Sequence, residues 1–449
     1  MKPITFLILA LSAVSCTEFL EVKPDKKLAV PNSVRDLEAL LNNTRTFNIS
    51  YPGLGEVSAG DFYITSNLWK SIISSSLQDA YIWAEQINYE ASRNEWSIPY
   101  TKVYNANVII DAIESGKIKN GTSEEIDNIK GSAHFFRAYA FFNLLQIFAK
   151  PWDSETSNKD PGIVLRLTSD FNVKSYRSTV EECYKQVISD TEQAIKLLPE
   201  ESLNNFLPNK YAAHAFMARV NLSLGIYDSA LKNGLIILEK SPQLMDYNSI
   251  NSIPNFPFSR ENSEILVHTL INTNANLYPP NMKVVDELYN LYSDDDLRKI
   301  TFFKMNSDST ISFRGSYDGT EVFSNSLTTA EIYLIVSECY ARTNKIEKAE
   351  QYLNILLRNR YRANSPFLTK FSNSEEALDR ILKERRRELA FRGLRWTDLR
   401  RLNKETKYAT TLKRTINNNE YTLLPNSNRY VLPIPHDVVS LTGIEQNKR

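Results

Sequence analysis

The stretch between residues 129 and 148 constrains the fold more than any other. Ile129, Ala133, Phe136, Ala140, Leu144 and Ile147 recur every three or four residues, which is one apolar stripe of a helix. Phe135, Tyr139 and Phe142 make a second stripe on the same helix. A helix that is apolar on two faces has to be packed on two sides, so it belongs inside an assembly of helices. Ala133, Ala138 and Ala140 let neighbours approach closely, and Pro151 stops the helix. Glycine is scarce, 13 in 449 residues. Few glycines mean few tight turns, which favours helices over a many-stranded sandwich.

Two distant segments share a further pattern. In residues 215–238 a helix runs to Gly225, and Tyr227 and Ala230 open the next. In residues 327–361 a helix runs to Asn344, and Ile346 and Ala349 open the next. Glycine and asparagine both tolerate the left-handed backbone that ends a helix. The pattern is that of a tetratricopeptide inner turn, or of generic antiparallel helix pairs. Residues 101–115 with 128–148, and 179–198 with 210–224, are further pairs. The expected fold is mainly all-α, with short hairpins near residues 311–323 and 421–431. Residues 51–78 and 246–281 are long connections rich in Asn, Ser, Pro and aromatics, the composition of ordered functional loops.

Met1-Lys2 followed by an apolar run over residues 4–14 has the layout of a secretory signal. That run is too short to span a bilayer, which takes about 20 residues. It ends Ala13-Val14-Ser15-Cys16, which resembles a bacterial lipoprotein signal cut before a lipidated Cys16. Only Cys183 and Cys339 follow; both lie in amphipathic helical patterns and read as two separate buried thiols, with a disulfide as the alternative. The four histidines form no metal-ligand spacing, and no metal or cofactor is expected. No nucleophile elbow, phosphate loop or dinucleotide fingerprint occurs. Lys+Arg and Asp+Glu are 53 each, so the chain lacks the excess positive charge of a general nucleic-acid binder. In the run 384–392, Glu384 and Glu388 sit at helical spacing from Arg387 and Arg392, which reads as an ion-pair network. Asp294-Asp295-Asp296 lacks the spacing of a calcium loop.

Several motifs, in order along nearly the whole chain, resemble the SusD/RagB family. Residues 16–24, Cys-Thr-Glu-Phe-Leu-Glu-Val-Lys-Pro, resemble its mature start. Trp96, Tyr100, Asn105 and Asn107 fit its Trp-to-Asn helix, and Arg137-Ala138-Tyr139 its aromatic helix. Glu331 to Tyr340 fits its Glu-rich repeat helix. Glu384 to Gly393, leading into Arg395-Trp396-Thr397-Asp398-Leu399-Arg400-Arg401, is the most specific stretch. Leu432-Pro433-Ile434-Pro435 and Glu445-Gln446-Asn447 resemble its ending. Arg392 stands where the family usually has Glu, and Leu394 where it often has His. The resemblance implies a signal over residues 1–15, an N-terminal region 16–225 and a C-terminal region 226–449 packed as one unit. It implies a SusD-like fold of tetratricopeptide-like helix pairs with long loops and a few short strands.

It also implies a non-catalytic outer-membrane lipoprotein, facing the exterior, that passes an oligosaccharide or other nutrient to a SusC-like TonB-dependent porin. The alternatives are a protein-binding scaffold and a glycoside hydrolase. Sugars offer apolar C–H faces to aromatic rings and hydroxyl edges to Asp, Asn or Arg. Trp96, Trp152 and Trp396 sit in scaffold motifs and are expected in the core. Trp69 and Trp83, with Asp61, Tyr63, Tyr81 and Tyr278, are the ligand candidates; core packing is the competing assignment for each.

Overall fold

The computed structural model describes residues 31–118, 120–240, 242–272, 277 and 281–449. Cys16 and Tyr278 therefore lie outside the described residues. Seventeen α-helices and ten short strands occur among those described. The helices are α1 (Val34–Leu41), α2 (Thr44–Phe47), α3 (Leu54–Ser58), α4 (Ser66–Ser71), α5 (Ser75–Tyr81), α6 (Ser97–Glu114), α7 (Ser123–Phe148), α8 (Val180–Leu197) and α9 (Lys210–Leu224). They continue as α10 (Tyr227–Leu238), α11 (Asp286–Tyr289), α12 (Arg298–Phe302), α13 (Thr329–Arg342), α14 (Ile346–Arg358), α15 (Ser374–Glu388), α16 (Arg395–Leu402) and α17 (His436–Thr442). The strands are β1 (Phe62–Tyr63), β2 (Pro161–Val164), β3 (Arg177–Thr179), β4 (Ile265–Val267), β5 (Lys283–Val284), β6 (Phe303–Met305), β7 (Ile311–Phe313), β8 (Leu327–Thr328), β9 (Leu412–Ile416) and β10 (Asn419–Leu423). They form five antiparallel pairs, each of two strands. The mainly helical expectation holds.

α7 is the central rod. A capping box opens it: Thr122 and Glu125 satisfy one another's backbone amides. Every residue from Gly131 to Phe142 is buried. Phe136 stacks on Phe47 at 4.9 Å, Tyr139 meets Tyr51 edge-on at 4.9 Å, and Phe135 meets Phe216 of α9 at 5.8 Å. The C-terminal end is closed by a side chain as well as by Pro151. Arg400 of α16 donates to the carbonyls of Leu145, Gln146 and Ala149; that of Leu145 also accepts the Ala149 amide, the last helical bond.

The two repeat-like turns are equivalent atom for atom. Gly225 has φ +72° and Asn344 φ +57°. The amide after each reaches back five residues: Ile226 to Asn221 at 2.9 Å, and Lys345 to Tyr340 at 2.8 Å. Ala230 and Ala349 occupy matching buried positions. The two pairs stack through α10 and α13, where Gly234 lies so close to Val336 that a Cβ would come within 2.6 Å.

The Arg/Glu run of α15 is a buried ionic lattice. Glu384 pairs with Arg387 at 2.8 Å, as its spacing predicts. Glu388 does not pair with Arg392. It takes Arg298 at 2.8 Å and Arg360 at 2.9 Å, both brought from elsewhere in the chain. Arg392 instead lies 3.3 Å from the Tyr317 ring centre. Asp296 holds Arg298 at 2.7 Å and Asp294 holds Lys299 at 2.7 Å, so those carboxylates serve protein cations. Cys183 and Cys339 are separate, buried free thiols, and burial pushes the Cys183 thiol up to about 12.

Both hairpins lie upstream of their expected positions. One is β6–β7; the other, β9–β10, turns through Asn417 and Asn418, both with positive φ. Adjacent asparagines in that conformation are a short-hairpin signal. Tyr430, expected near a strand, sits in a 3₁₀ turn and stacks on Trp396 at 4.6 Å.

Candidate ligand-binding site

The two long connections meet. The Tyr51 amide donates to the Leu270 carbonyl at 2.9 Å, and the Asn272 amide to the Tyr51 carbonyl at 2.7 Å. β1 pairs with β5, Phe62 opposite Val284. Their side chains are less available than the sequence suggests. Asp61 is buried, and its Oδ1 accepts from Arg386 Nε at 3.0 Å and Nη2 at 2.6 Å. The Tyr81 hydroxyl accepts from the Ile64 amide at 3.0 Å, and the Trp83 indole donates to the Ser58 carbonyl at 3.0 Å; both residues are buried.

The reason is Arg414 of β9. Its guanidinium lies 3.9 Å from the Tyr81 ring centre, 4.8 Å from that of Trp83 and 5.6 Å from that of Phe62. It donates to the carbonyls of Tyr81 and Val57, and burial pushes its pKa down to about 10. The rings form a cage for the protein's own cation. Asp61, Tyr81 and Trp83 are therefore interior residues, not a surface platform for sugar. Trp83 also has φ +53°, a costly conformation for a bulky side chain that this packing holds in place. Trp69 is half-buried and clasped: its indole donates to the Gln78 carbonyl at 3.1 Å, and Gln78 Nε2 to the Trp69 carbonyl at 2.8 Å. Tyr63 is exposed. Trp96 and Trp396 are buried, as expected of scaffold residues, and Trp152 is partly buried.

A continuous concave surface lies elsewhere. Three cavities of about 460, 270 and 440 Å³ follow one another along the C-terminal segment. Lys150, Asp160, Asn428 and Val431 line both the first and second; Gln446 and Asn447 line both the second and third. They are one groove. Its near end lies between residues 150–160, the end of α16 and residues 426–431; its far end is lined by residues 85–88.

The groove mixes polar and apolar lining and is firmly walled. Lys150 pairs with Asp160 at 2.7 Å, and Lys404 with Asp153 at 2.7 Å. The bond from Lys404 holds the Asp153 carboxyl below the usual range. Thr156 donates to Asp160 at 2.6 Å. Asn447 Nδ2 donates to the carbonyls of Phe148 and Leu432, each at 2.8 Å, and Gln446 exchanges two bonds with the Ile434 backbone. Arg400 lines the near end, and burial pushes its pKa down to about 10. Exposed Asn426 and Asn428 present amides, while Pro151, Pro161 and Val431 give apolar ground. Amides, carboxylates and ammonium groups along a trough suit a long polyhydroxylated ligand. Sequence reading missed this groove because its walls are some 250 residues apart, as in the bond from Lys404 to Asp153. Glu445-Gln446-Asn447 was a visible signal, but only as a family ending.

Two family models match the chain. One, described as starch-binding associating with outer membrane, covers residues 18–222; the other, described as the SusD family, covers residues 326–448. A SusD-like protein P2 of Formosa agariphila is 22% identical over 250 residues, 52% of this chain. That match spans less than half of the relative, 45% of its length. A SusD superfamily protein from Bacteroides thetaiotaomicron has a TM-score of 0.75 at 23% identity, covering 93% of this chain and 100% of its own. A sugar-binding protein so described from Bacteroides vulgatus has a TM-score of 0.72 at 21% identity, covering 93% and 99%. These likenesses establish the fold. With the ordered motifs, the two family matches and the helix-pair architecture in agreement, the chain belongs to the SusD/RagB family.

Proposed function

We propose that the protein binds a glycan without transforming it, is held to the outer membrane by a lipid on Cys16 facing the exterior, and passes its ligand to a TonB-dependent porin. In this reading, residues 16–225 and 226–449 work as one unit. One observation carries the binding role: the two family-matched segments are those that supply the groove's walls. Residues 85–88 and 150–160 come from the first, and Arg400 to Asn447 from the second. The description of the first family model as starch-binding, and the naming of the Bacteroides vulgatus structure as a sugar-binding protein, support a carbohydrate as the ligand class. No helix of the described residues is long and apolar enough to cross a membrane.

The test is calorimetric titration with a panel of oligosaccharides. Asn428→Ala and Lys404→Ala should weaken binding at least about tenfold, because each removes a hydrogen-bonding group from the trough. Of the described sequence candidates, Tyr63 is exposed and Trp69 half-buried; Tyr63→Ala and Trp69→Ala measure whether that face contributes. Affinity unchanged in the groove variants but lost in Tyr63→Ala would move the site to β1 and α4. Released products on incubation with the same panel would overturn the non-catalytic reading. Affinity purification in mild detergent should recover a large β-barrel partner, and Cys16→Ala should shift the protein to the soluble fraction.

A further inference from the structure

Neighbouring arginines on α16 have opposite surroundings. Arg401 meets Glu338 at 2.5 Å and Asp398 at 2.8 Å. Arg400, 3% exposed, meets no carboxylate of the described residues. Its Nη1 and Nη2 go to the carbonyls at the end of α7, and its Nε has no acceptor. A helix C-terminus offers about half a negative charge, so a full guanidinium charge exceeds what α7 returns. One turn on, Asn403 is buried beside the buried Tyr430. The two are too poorly aligned to satisfy one another, and Asn403 Nδ2 and the Tyr430 hydroxyl are left without partners. All three residues line the near end of the groove. The Arg Nε and Asn Nδ2 can only donate, and the hydroxyl can donate as well. Buried donors without acceptors are costly, and a ligand oxygen that reaches them removes that cost.

The rim adds cations without adding free anions. Three cations, Lys150, Arg400 and Lys404, and two carboxylates, Asp153 and Asp160, line the near end. Each aspartate is taken by a lysine, so the charge in excess is that of Arg400. Both lysines are partly in water, and either can turn from its aspartate toward a ligand at little cost. The rest of the groove differs. Arg449 also donates to backbone carbonyls, those of Ala84 and Arg429, yet Glu85 stands near it and favours its charge. Glu85 and Glu445 match Arg449 and Lys448 in number along the middle and far end. The positive excess is therefore local to the near end, where the unpartnered donors lie.

We propose that the near end of the groove is an oxyanion subsite, with Arg400, Asn403 and Tyr430 at its floor and Lys150 and Lys404 at its rim, so that the ligand is an acidic glycan bearing a carboxylate or a sulfate ester. Hydrogen bonds from cationic donors to such oxygens are about twice as strong as neutral ones, which gives the acid group its advantage over a hydroxyl. The proposal rests on the reading of the groove as a glycan site, and its test separates the two. The probes are two matched pairs, titrated calorimetrically into the full chain: an oligogalacturonide with its carboxyl-reduced form, and a sulfated galactan oligosaccharide with its desulfated form. In at least one pair the acid member should bind about tenfold or more tightly than its neutral match, and the pair that shows this tells carboxylate from sulfate. Raising sodium chloride from about 0.05 to about 0.5 M should shrink that ratio, since part of the attraction is between groups in water. Arg400→Gln should abolish the ratio, and Lys150→Gln and Lys404→Gln should each lower it. If Arg400→Gln fails to fold, because that side chain closes α7, the two lysine variants decide. Equal affinity within both pairs, still weakened by Asn428→Ala, overturns the oxyanion subsite and leaves the glycan site standing. Binding that Asn428→Ala and the lysine variants leave unchanged overturns the groove as the site, and the subsite with it. No binding by any of the four probes also overturns the subsite, and the wider oligosaccharide panel then decides the groove on its own.

Discussion

Two sets of ion pairs in this protein use the same chemistry to opposite ends. In the C-terminal half, Arg298, Arg360, Glu264, Glu384 and Glu388 are all essentially without solvent contact, and each guanidinium meets at least two carboxylates. Along the groove, Lys150 with Asp160 and Lys404 with Asp153 are partly in water. A buried pair cannot exchange its partner, because a charge left alone in the interior keeps the full cost of its lost hydration. An exposed pair loses little when it opens, so its groups remain available to a ligand. Burial, rather than residue type, decides which charges hold the fold and which can bind.

The comparison is easiest to break in the lattice. Arg360→Met removes the bridge between Glu264 and Glu388 and should cost about 3–5 kcal/mol, read as a lowered midpoint in urea unfolding. An effect under about 1 kcal/mol would mean that the lattice behaves like the surface pairs. Trp83→Ala is of similar size, about 3–5 kcal/mol, because it opens the Arg414 cage. Trp69→Ala, at a half-buried position, should cost clearly less, and equal losses would remove the distinction drawn between the two tryptophans.

The pH dependence sharpens the contrast from both sides. Glu338 and Glu384 are held down to about 2 by their arginines, despite burial. A carboxyl with a depressed folded pKa stabilises above its unfolded value, 4.5, and that stability is lost as pH falls toward about 2. Glu56 and Glu95 are raised by burial to about 8. Their contribution is complete below 4.5 and is lost as pH rises from there through about 8. Urea midpoints should fall on both sides, and Glu56→Gln should flatten the alkaline fall by supplying a permanently neutral side chain. The smallest effect is expected in the groove: Lys404→Gln should alter stability by no more than about 1 kcal/mol while weakening oligosaccharide binding.

Much of the scaffold was legible. The doubled stripe of α7 announced a helix packed on two sides, and the Gly225 and Asn344 turns announced equivalent helix pairs, because both signals are local periodicities. The Glu384–Arg387 pair was legible for the same reason. Glu388 was not, since its arginines come from positions 298 and 360. The hairpin turn at Asn417-Asn418 lies just before the expected residues 421–431, although paired asparagines are themselves a readable turn signal. Among the ligand candidates, composition identified a region rich in aromatics and could not tell an exposed ring from a caged one.

The sequence by itself determined the helical scaffold, its repeat turns and its family, because these rest on spacing within one helix or one turn. Only the tertiary structure decided which polar and aromatic residues face water. Asp61, Tyr81 and Trp83 became interior because Arg386 and Arg414, more than three hundred residues later, bring their charges to them. The groove arose because residues 150–160 and 426–447 converge at the end of α7. Burial is a property of what approaches from elsewhere in the chain, and no local pattern records it.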